Sequence, residues 1–197
     1  PPVYPGLEGV QTQVFCRSGM SALAALCQGF DRIAAQTCPF LTLRDAYFEA
    51  QYFVDHYCRS LSVEVAESYA GLAPKRNKLH VLHLDSICSE SPLAGLAGLG
   101  PAGVLAVVDT SCHARTDPII RGQVAACLRA GIPVALVRSH LKLDTLGMEL
   151  GQLGSVVLCA APEGAGAGLV DALDRVLPDV IRVFGFAPSP ADFFPVA

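Results

Sequence analysis

Two side chains of opposite charge stand just past two short apolar runs, and together they could do the chemistry of an amine facing an acid. The run Gly103-Val104-Leu105-Ala106-Val107-Val108 stops at Asp109. A second run, Ile132-Pro133-Val134-Ala135-Leu136-Val137, leads through Arg138 into Ser139-His140-Leu141-Lys142. A lysine amine can condense with a carbonyl and carry a proton; an aspartate can keep an aromatic ring nitrogen protonated. Ser139, three residues before the lysine, offers a hydroxyl for a phosphate. Each residue also has a plainer reading. Asp109 needs a partner if it is buried, and either a ring nitrogen or a cap on the next segment would serve. A lone lysine is most simply a surface residue.

Two further segments could complete such a site. Phe15-Cys16-Arg17-Ser18-Gly19-Met20-Ser21-Ala22-Leu23 puts serine and glycine where a helix begins. The unpaired amides and dipole of a helix start can hold a phosphate, although a serine N-cap needs no ligand. In Asp45-Ala46-Tyr47-Phe48-Glu49, Tyr47 is an aromatic candidate to stack on a flat ring, or else part of an aromatic helix face packed in the core.

Short β-branched runs bounded by Gly or Pro read as buried parallel strands, and groups past their carboxyl ends lie where open α/β sheets bind ligands. The spacing predicts strands over 61–65, 80–84, 103–108, 132–137 and 155–158. It predicts helices over 19–29, 44–58, 119–130 (capped by Gly131) and 169–184. The first 15 or so residues, rich in Pro and Gly, read as an extended lead-in, Gly164 to Gly168 as a loop, and Ala187-Pro188-Ser189-Pro190 as a linker. Strands alternating with helices imply an α/β fold with a mostly parallel sheet and right-handed crossovers.

The composition narrows the class. The chain has 197 residues, enough for one domain with a good core; it is 52% hydrophobic and 16% charged, which suggests surface buried against a partner. A net charge of -4 with only Lys75-Arg76-Asn77-Lys78 locally basic argues against nucleic acid. No apolar run is long enough to span a membrane, and Pro1-Pro2-Val3-Tyr4 lacks signal-peptide character, so the expected location is cytoplasmic. The missing initiator Met suggests a processed or excised segment. None of the 8 cysteines pairs as C-x-x-C, and several sit in apolar contexts, as free buried thiols do.

Taken in order, Ser18-Gly19-Met20-Ser21-Ala22, then Tyr47, then Val107-Val108-Asp109-Thr110, then Ser139-x-x-Lys142, the chain resembles the fold-type I pyridoxal-phosphate enzymes. The likeness is closest to the cysteine/methionine-metabolism group of cystathionine synthases and lyases, and runs over roughly residues 12–160. Leu141 stands where that group usually has Thr, and Asp85-Ser86-Ile87-Cys88-Ser89-Glu90 stands in place of Glu-Ser-Pro-Ser-Asn-Pro, with Ser89 a poor substitute for the Asn. Leu146-Gly147 and Gly154-Ser155-Val156-Val157 are similar to the glycine-containing stretch and strand that come after the family's lysine.

The resemblance implies the three-layer large domain of the aspartate aminotransferase-like fold over residues 1–197, with 185–197 leading toward a C-terminal small domain that the chain does not contain. It implies pyridoxal 5'-phosphate as cofactor and Lys142 as its Schiff-base lysine and proton carrier. Asp109 would hold the pyridine nitrogen and Tyr47 would stack on the ring. Ser18, Gly19, Met20 and Ser139 would hold the phosphate. It also implies an amino-acid substrate, elimination or replacement at a β or γ carbon bearing sulfur or oxygen, and a homodimer or a complementing polypeptide.

Three other readings compete. Ser-x-x-Lys also marks β-lactamases, but their Ser-Asp-Asn and Lys-Thr-Gly triplets are missing. Cys112, His113 and Asp117, with His80 and His83, could suggest a metal, yet residues three apart on a strand face opposite ways. A third possibility is a domain that binds the cofactor but is catalytically incomplete, a scaffold that needs a partner polypeptide.

Overall fold

The computed structural model describes residues 2–68, 80–85, 103–142, 144, 152–164, 166–190, 192 and 193. The basic 75–78 stretch, Ser86 to Glu90, Leu146-Gly147 and Ala165 lie outside them. Among the described residues, seven strands make one sheet: β1 (Val10–Cys16), β2 (Cys38–Leu43), β3 (Leu61–Ala66), β4 (His80–Leu84), β5 (Val104–Asp109), β6 (Val134–Ser139) and β7 (Gly154–Cys159). The helices among the described residues that flank it are α1 (Gly19–Ile33), α2 (Phe48–Tyr57), α3 (Pro118–Arg129) and α4 (Ala167–Val183).

The sheet order is β1-β7-β6-β5-β4-β2-β3. β3, β2, β4, β5 and β6 run parallel, while β7 pairs antiparallel with both β6 and β1. β4, β5 and β6 are buried on both faces, which explains their unbroken apolar runs. The chain steps outward from β2 to β3, then crosses back to β4 and proceeds the other way. Such a reversal leaves a crevice at the carboxyl ends of the strands.

Alternation sorts the side chains into two layers. Leu105, Val107, Ala135, Val137, Val156 and Leu158 face α1 and α4, joined by Ala50 and Val54 of α2. Val104, Ala106, Val108, Val134 and Leu136 face α3, with Val3 and Tyr4 completing that side. Cys16, Cys127 and Cys159 belong to these layers, and burial pushes each thiol up to about 12, so they act as small apolar fillers. Among the described residues, no helix is long and apolar enough to cross a membrane.

Several expectations shift. Residues 10–16 form an edge strand rather than a lead-in, because they zip along β7; a half-polar outer strand carries a weak pattern. β2 escaped the apolar-run reading because Cys38-Pro39 begins it, and proline is unexpected inside a buried strand. α1 runs through Gly29 to Ile33, since that glycine lets Leu177 of α4 come close: a Cβ there would meet Leu177 Cδ2 at 3.3 Å. α2 starts at Phe48, so Tyr47 is its N-cap rather than a position on its face. β6 begins two residues later than expected, past Pro133. Phe186 O accepts the Arg17 N–H at 2.8 Å, and Phe193 packs edge-on to Phe15 at 5.4 Å, so this terminal segment lies on β1.

Candidate functional site

The start of α1 is seated first. Ser18 is the N-cap, its Oγ accepting the Ser21 N–H at 3.0 Å and bonding Ser21 Oγ at 2.9 Å. Helix-forming Ala22 to Leu26 then carries the chain inward. Two glycines bring this turn onto the ends of β6 and β7. A Cβ on Gly19 would meet Ser139 Cβ at 2.6 Å, and one on Gly154 would collide with the Ser18 carbonyl. The Gly19 and Met20 amides, first in the helix, have no intrahelical acceptor.

Three strand ends supply the ionisable groups. β4 is followed directly by Asp85, which is buried; its Oδ2 accepts the Tyr47 N–H at 2.7 Å. That carboxylate from another strand therefore caps α2, whose own N-cap Tyr47 makes no side-chain bond. β5 ends at half-buried Asp109, whose Oδ1 accepts the Ser111 N–H at 2.7 Å in a tight turn. At the end of β6, Ser111 Oγ accepts the Ser139 N–H at 2.9 Å, tying the turn after β5 to this strand end. Lys142 comes next, exposed, with Nζ 5.8 Å from the centre of the Tyr47 ring.

One cavity of about 430 Å³ collects these groups. Ser18, Gly19, Met20 and Ser139 line one part of it, and Tyr47, Asp85, Asp109, Ser111 and Lys142 another, with Leu23 and Leu141 apolar. All seven sequence-derived candidates thus meet in one cavity of a size that holds small ligands. The plainer roles are present too: Ser18 caps a helix and Asp109 holds a turn. Asp85 and Ser111 join the site without having been singled out; the signal was an acid ending its run as Asp109 ends the next.

The cavity's electrostatics are acidic on one side. Burial, a bond to Glu49 and the carboxylates of Glu49, Asp109 and Asp85 push the Tyr47 phenol up to about 12, so its ring stays neutral. Beneath the acids lies His83, whose Nδ1 is 3.2 Å from Thr42 Oγ1 and whose ring stacks on Phe40 at 5.3 Å. Burial holds His83 below the usual histidine range, against the pull of Asp85 and Asp109. His113 Nδ1 is 2.9 Å from Asp117 Oδ2, while Asp117 Oδ1 accepts the Ile119 N–H and caps α3.

A second ionic cluster lies behind the cavity, and no local sequence pattern announces it. Arg138 is fully buried. Its Nε and Nη2 donate to the two oxygens of Asp144 at 2.9 and 2.6 Å, and Nη1 donates to the carbonyls of Thr110 and His113, both at 2.8 Å. Asp144 Oδ2 also accepts from His140 Nδ1 at 2.5 Å, and His140 Nε2 is 3.0 Å from Ser155 Oγ on β7. Burial pushes the Asp144 carboxyl up, but the bonds from His140 and Arg138 outweigh it and hold the group well below the usual carboxylate range.

Neither a protein-family model nor a curated protein sequence matches the chain. Solved structures do match. A cystathionine γ-lyase from Micromonospora echinospora aligns over 97% of this chain and 47% of its own at 16% identity, with a TM-score of 0.68. An aromatic-amino-acid aminotransferase from Burkholderia pseudomallei, covalently bound to pyridoxal phosphate, aligns over 100% and 52% at 11% identity, also with a TM-score of 0.68. An aspartate aminotransferase from Trypanosoma cruzi aligns over 96% and 53% at 12% identity, with a TM-score of 0.66. The chain spans about half the length of these proteins. It has the three-layer α/β fold of the aspartate aminotransferase-like large domain.

Proposed function

We propose that the cavity binds pyridoxal 5'-phosphate and that the chain forms part of a lyase or transferase acting on an amino acid. The observation that carries this reading is the convergence of a helix start, an aromatic ring, an acid and a lysine on one cavity of about 430 Å³. The donors suit the group. The first-turn amides of Gly19 and Met20, with the hydroxyls of Ser18 and Ser139, would hold the phosphate. The close approach of Gly19 to Ser139, with no room for a side chain, makes a narrow cradle for it. Tyr47, uncharged below about pH 12, offers its ring for stacking. Asp109 would hold a proton on the pyridine nitrogen.

When bound, pyridoxal phosphate serves as an electron sink for negative charge developing at the α carbon of an amino acid. Lys142 would anchor the cofactor through Nζ, and the same amine would take and return the α-proton. Asp109 would stabilise the protonated ring, and Leu23 and Leu141 would shield the site from water. The finer reading is elimination or replacement at a β or γ carbon bearing sulfur or oxygen.

A second reading has its own support. No arginine is among the described residues lining the cavity, so a group to hold the substrate carboxylate has to come from elsewhere. Phe48, 5.7 Å from the Tyr47 ring, and Tyr52, on the same helix, are 69% and 56% exposed. Both fit a homodimer or a complementing polypeptide, with the chain by itself a cofactor-binding but incomplete domain. The two readings share one test. The chain mixed with pyridoxal phosphate is expected to develop the visible absorbance of lysine-bound cofactor, and Lys142→Ala is expected to abolish it. No such absorbance in the unaltered protein would overturn both.

A further inference from the structure

Why is a fully buried arginine kept behind this cavity? A buried ion pair rarely stabilises a protein more than well-packed apolar side chains of similar volume would. Stability alone therefore leaves Arg138 and Asp144 unexplained; what they connect is more telling. Through Nη1, Arg138 grips Thr110 O and His113 O, the turn directly after Asp109. Through Nε and Nη2 it grips Asp144, two residues past Lys142. His140 Nδ1 binds the same carboxylate, and its Nε2 reaches Ser155 on β7.

The acid-bearing turn and the lysine-bearing turn are thus held by one rigid guanidinium fork, whose planar geometry fixes both at once. On the reading that Lys142 is the cofactor lysine, we propose that Arg138, Asp144 and His140 are positioning residues that set the placement of Lys142 relative to Asp109. None of the three lines the cavity. They act through the two turns. Arg115, whose Nε is 3.7 Å from Asp144 and which is partly exposed, closes the outer side of the cluster.

The test separates positioning from plain structural support. Replacing both charges together, Arg138→Met with Asp144→Leu, leaves no buried charge unpaired, so the full chain is expected to stay folded. Two readouts serve. In the cofactor-free chain, the rate at which acetic anhydride acetylates Lys142 is measured at fixed pH. With pyridoxal phosphate and borohydride, the rate of trapping at Lys142 is tracked by mass spectrometry. The proposal expects the acetylation rate to change about threefold or more and trapping to slow about tenfold or more. A folded double variant with native values in both overturns it. If the double variant does not fold, Asp144→Asn, which keeps the shape and removes the charge, takes its place, and native values there overturn the proposal equally. Trapping that never reaches Lys142 in the unaltered chain overturns the lysine reading, and this one with it.

Discussion

The cavity and the cluster behind it lie on either side of the same strand ends, yet their polar groups are in opposite condition. In the cluster, Asp144 takes bonds from Arg138 and His140, Arg138 donates four, and the outer rim is closed. In the cavity, Lys142 is exposed, Asp109 is half-buried with Oδ1 engaged by a turn, and the first amides of α1 point where no helix carbonyl can reach them. Closed polar groups hold geometry, whereas open ones leave capacity for a ligand. The alternation of β6 makes this division: Ser139 faces the cavity, and its neighbours Arg138 and His140 turn to the other side.

Opening the closed cluster is expected to have the largest effect. Asp144→Ala would leave Arg138 charged, buried and without its counter-ion, a change that costs about 3–5 kcal/mol. Chemical denaturation is expected to show that loss, and a change under about 1 kcal/mol would mean the cluster is not closed in solution. The pH dependence carries a matching sign. Because the folded value of Asp144 lies below its unfolded value of about 3.9, its contribution is complete above that pH and is lost as the pH falls below it. His83 works over a higher window. Its folded value is lowered, so protons bind the unfolded state better and stability declines as the pH drops below about 6.5. His83→Phe is expected to flatten the decline between about pH 6.5 and 5 while leaving the acid limb. An unchanged profile there would place the titration elsewhere.

A smaller effect tests how the open region is built. Gly19→Ala would set a methyl 2.6 Å from Ser139 Cβ, forcing α1 away from the end of β6. Overpacking of this kind costs about 1–3 kcal/mol. The same displacement is expected to weaken binding of inorganic phosphate or pyridoxal phosphate, measured by calorimetry. Native affinity would show that the cradle does not depend on this contact.

The parts of the molecule that repeat a local pattern were readable in the sequence, and the parts made by distant pairing were not. β4, β5 and β6 stood out because burial on both faces leaves unbroken apolar runs, and the candidate residues stood out because each run stops at a polar residue. Ser18, Tyr47, Asp109 and Lys142 were singled out by residue type and order, and they line one cavity, with Tyr47 as a helix cap rather than a position on a helix face. β1 was hidden because its pairing with β7 joins residues far apart in the chain. The Arg138–Asp144 pair was hidden for another reason. Ordinary spacing six residues apart gives no hint that the arginine is buried, and only the fold shows that its partner carboxylate comes from the turn after Lys142.

The smallest expected change bears most directly on the open region. Lys142 has an exposed side chain and a cation–ring contact at 5.8 Å, close to the outer limit for such contacts. Contacts this loose add little, and surface substitutions away from special features stay within about 0.5 kcal/mol. Lys142→Ala is therefore expected to melt like the native chain while losing cofactor attachment completely. Should it instead destabilise the fold by as much as Asp144→Ala, the lysine would belong with the closed cluster. On the proposed reading, an amine that the fold can lose at no cost, where two acids and an aromatic ring line the same cavity, would serve a ligand rather than the fold.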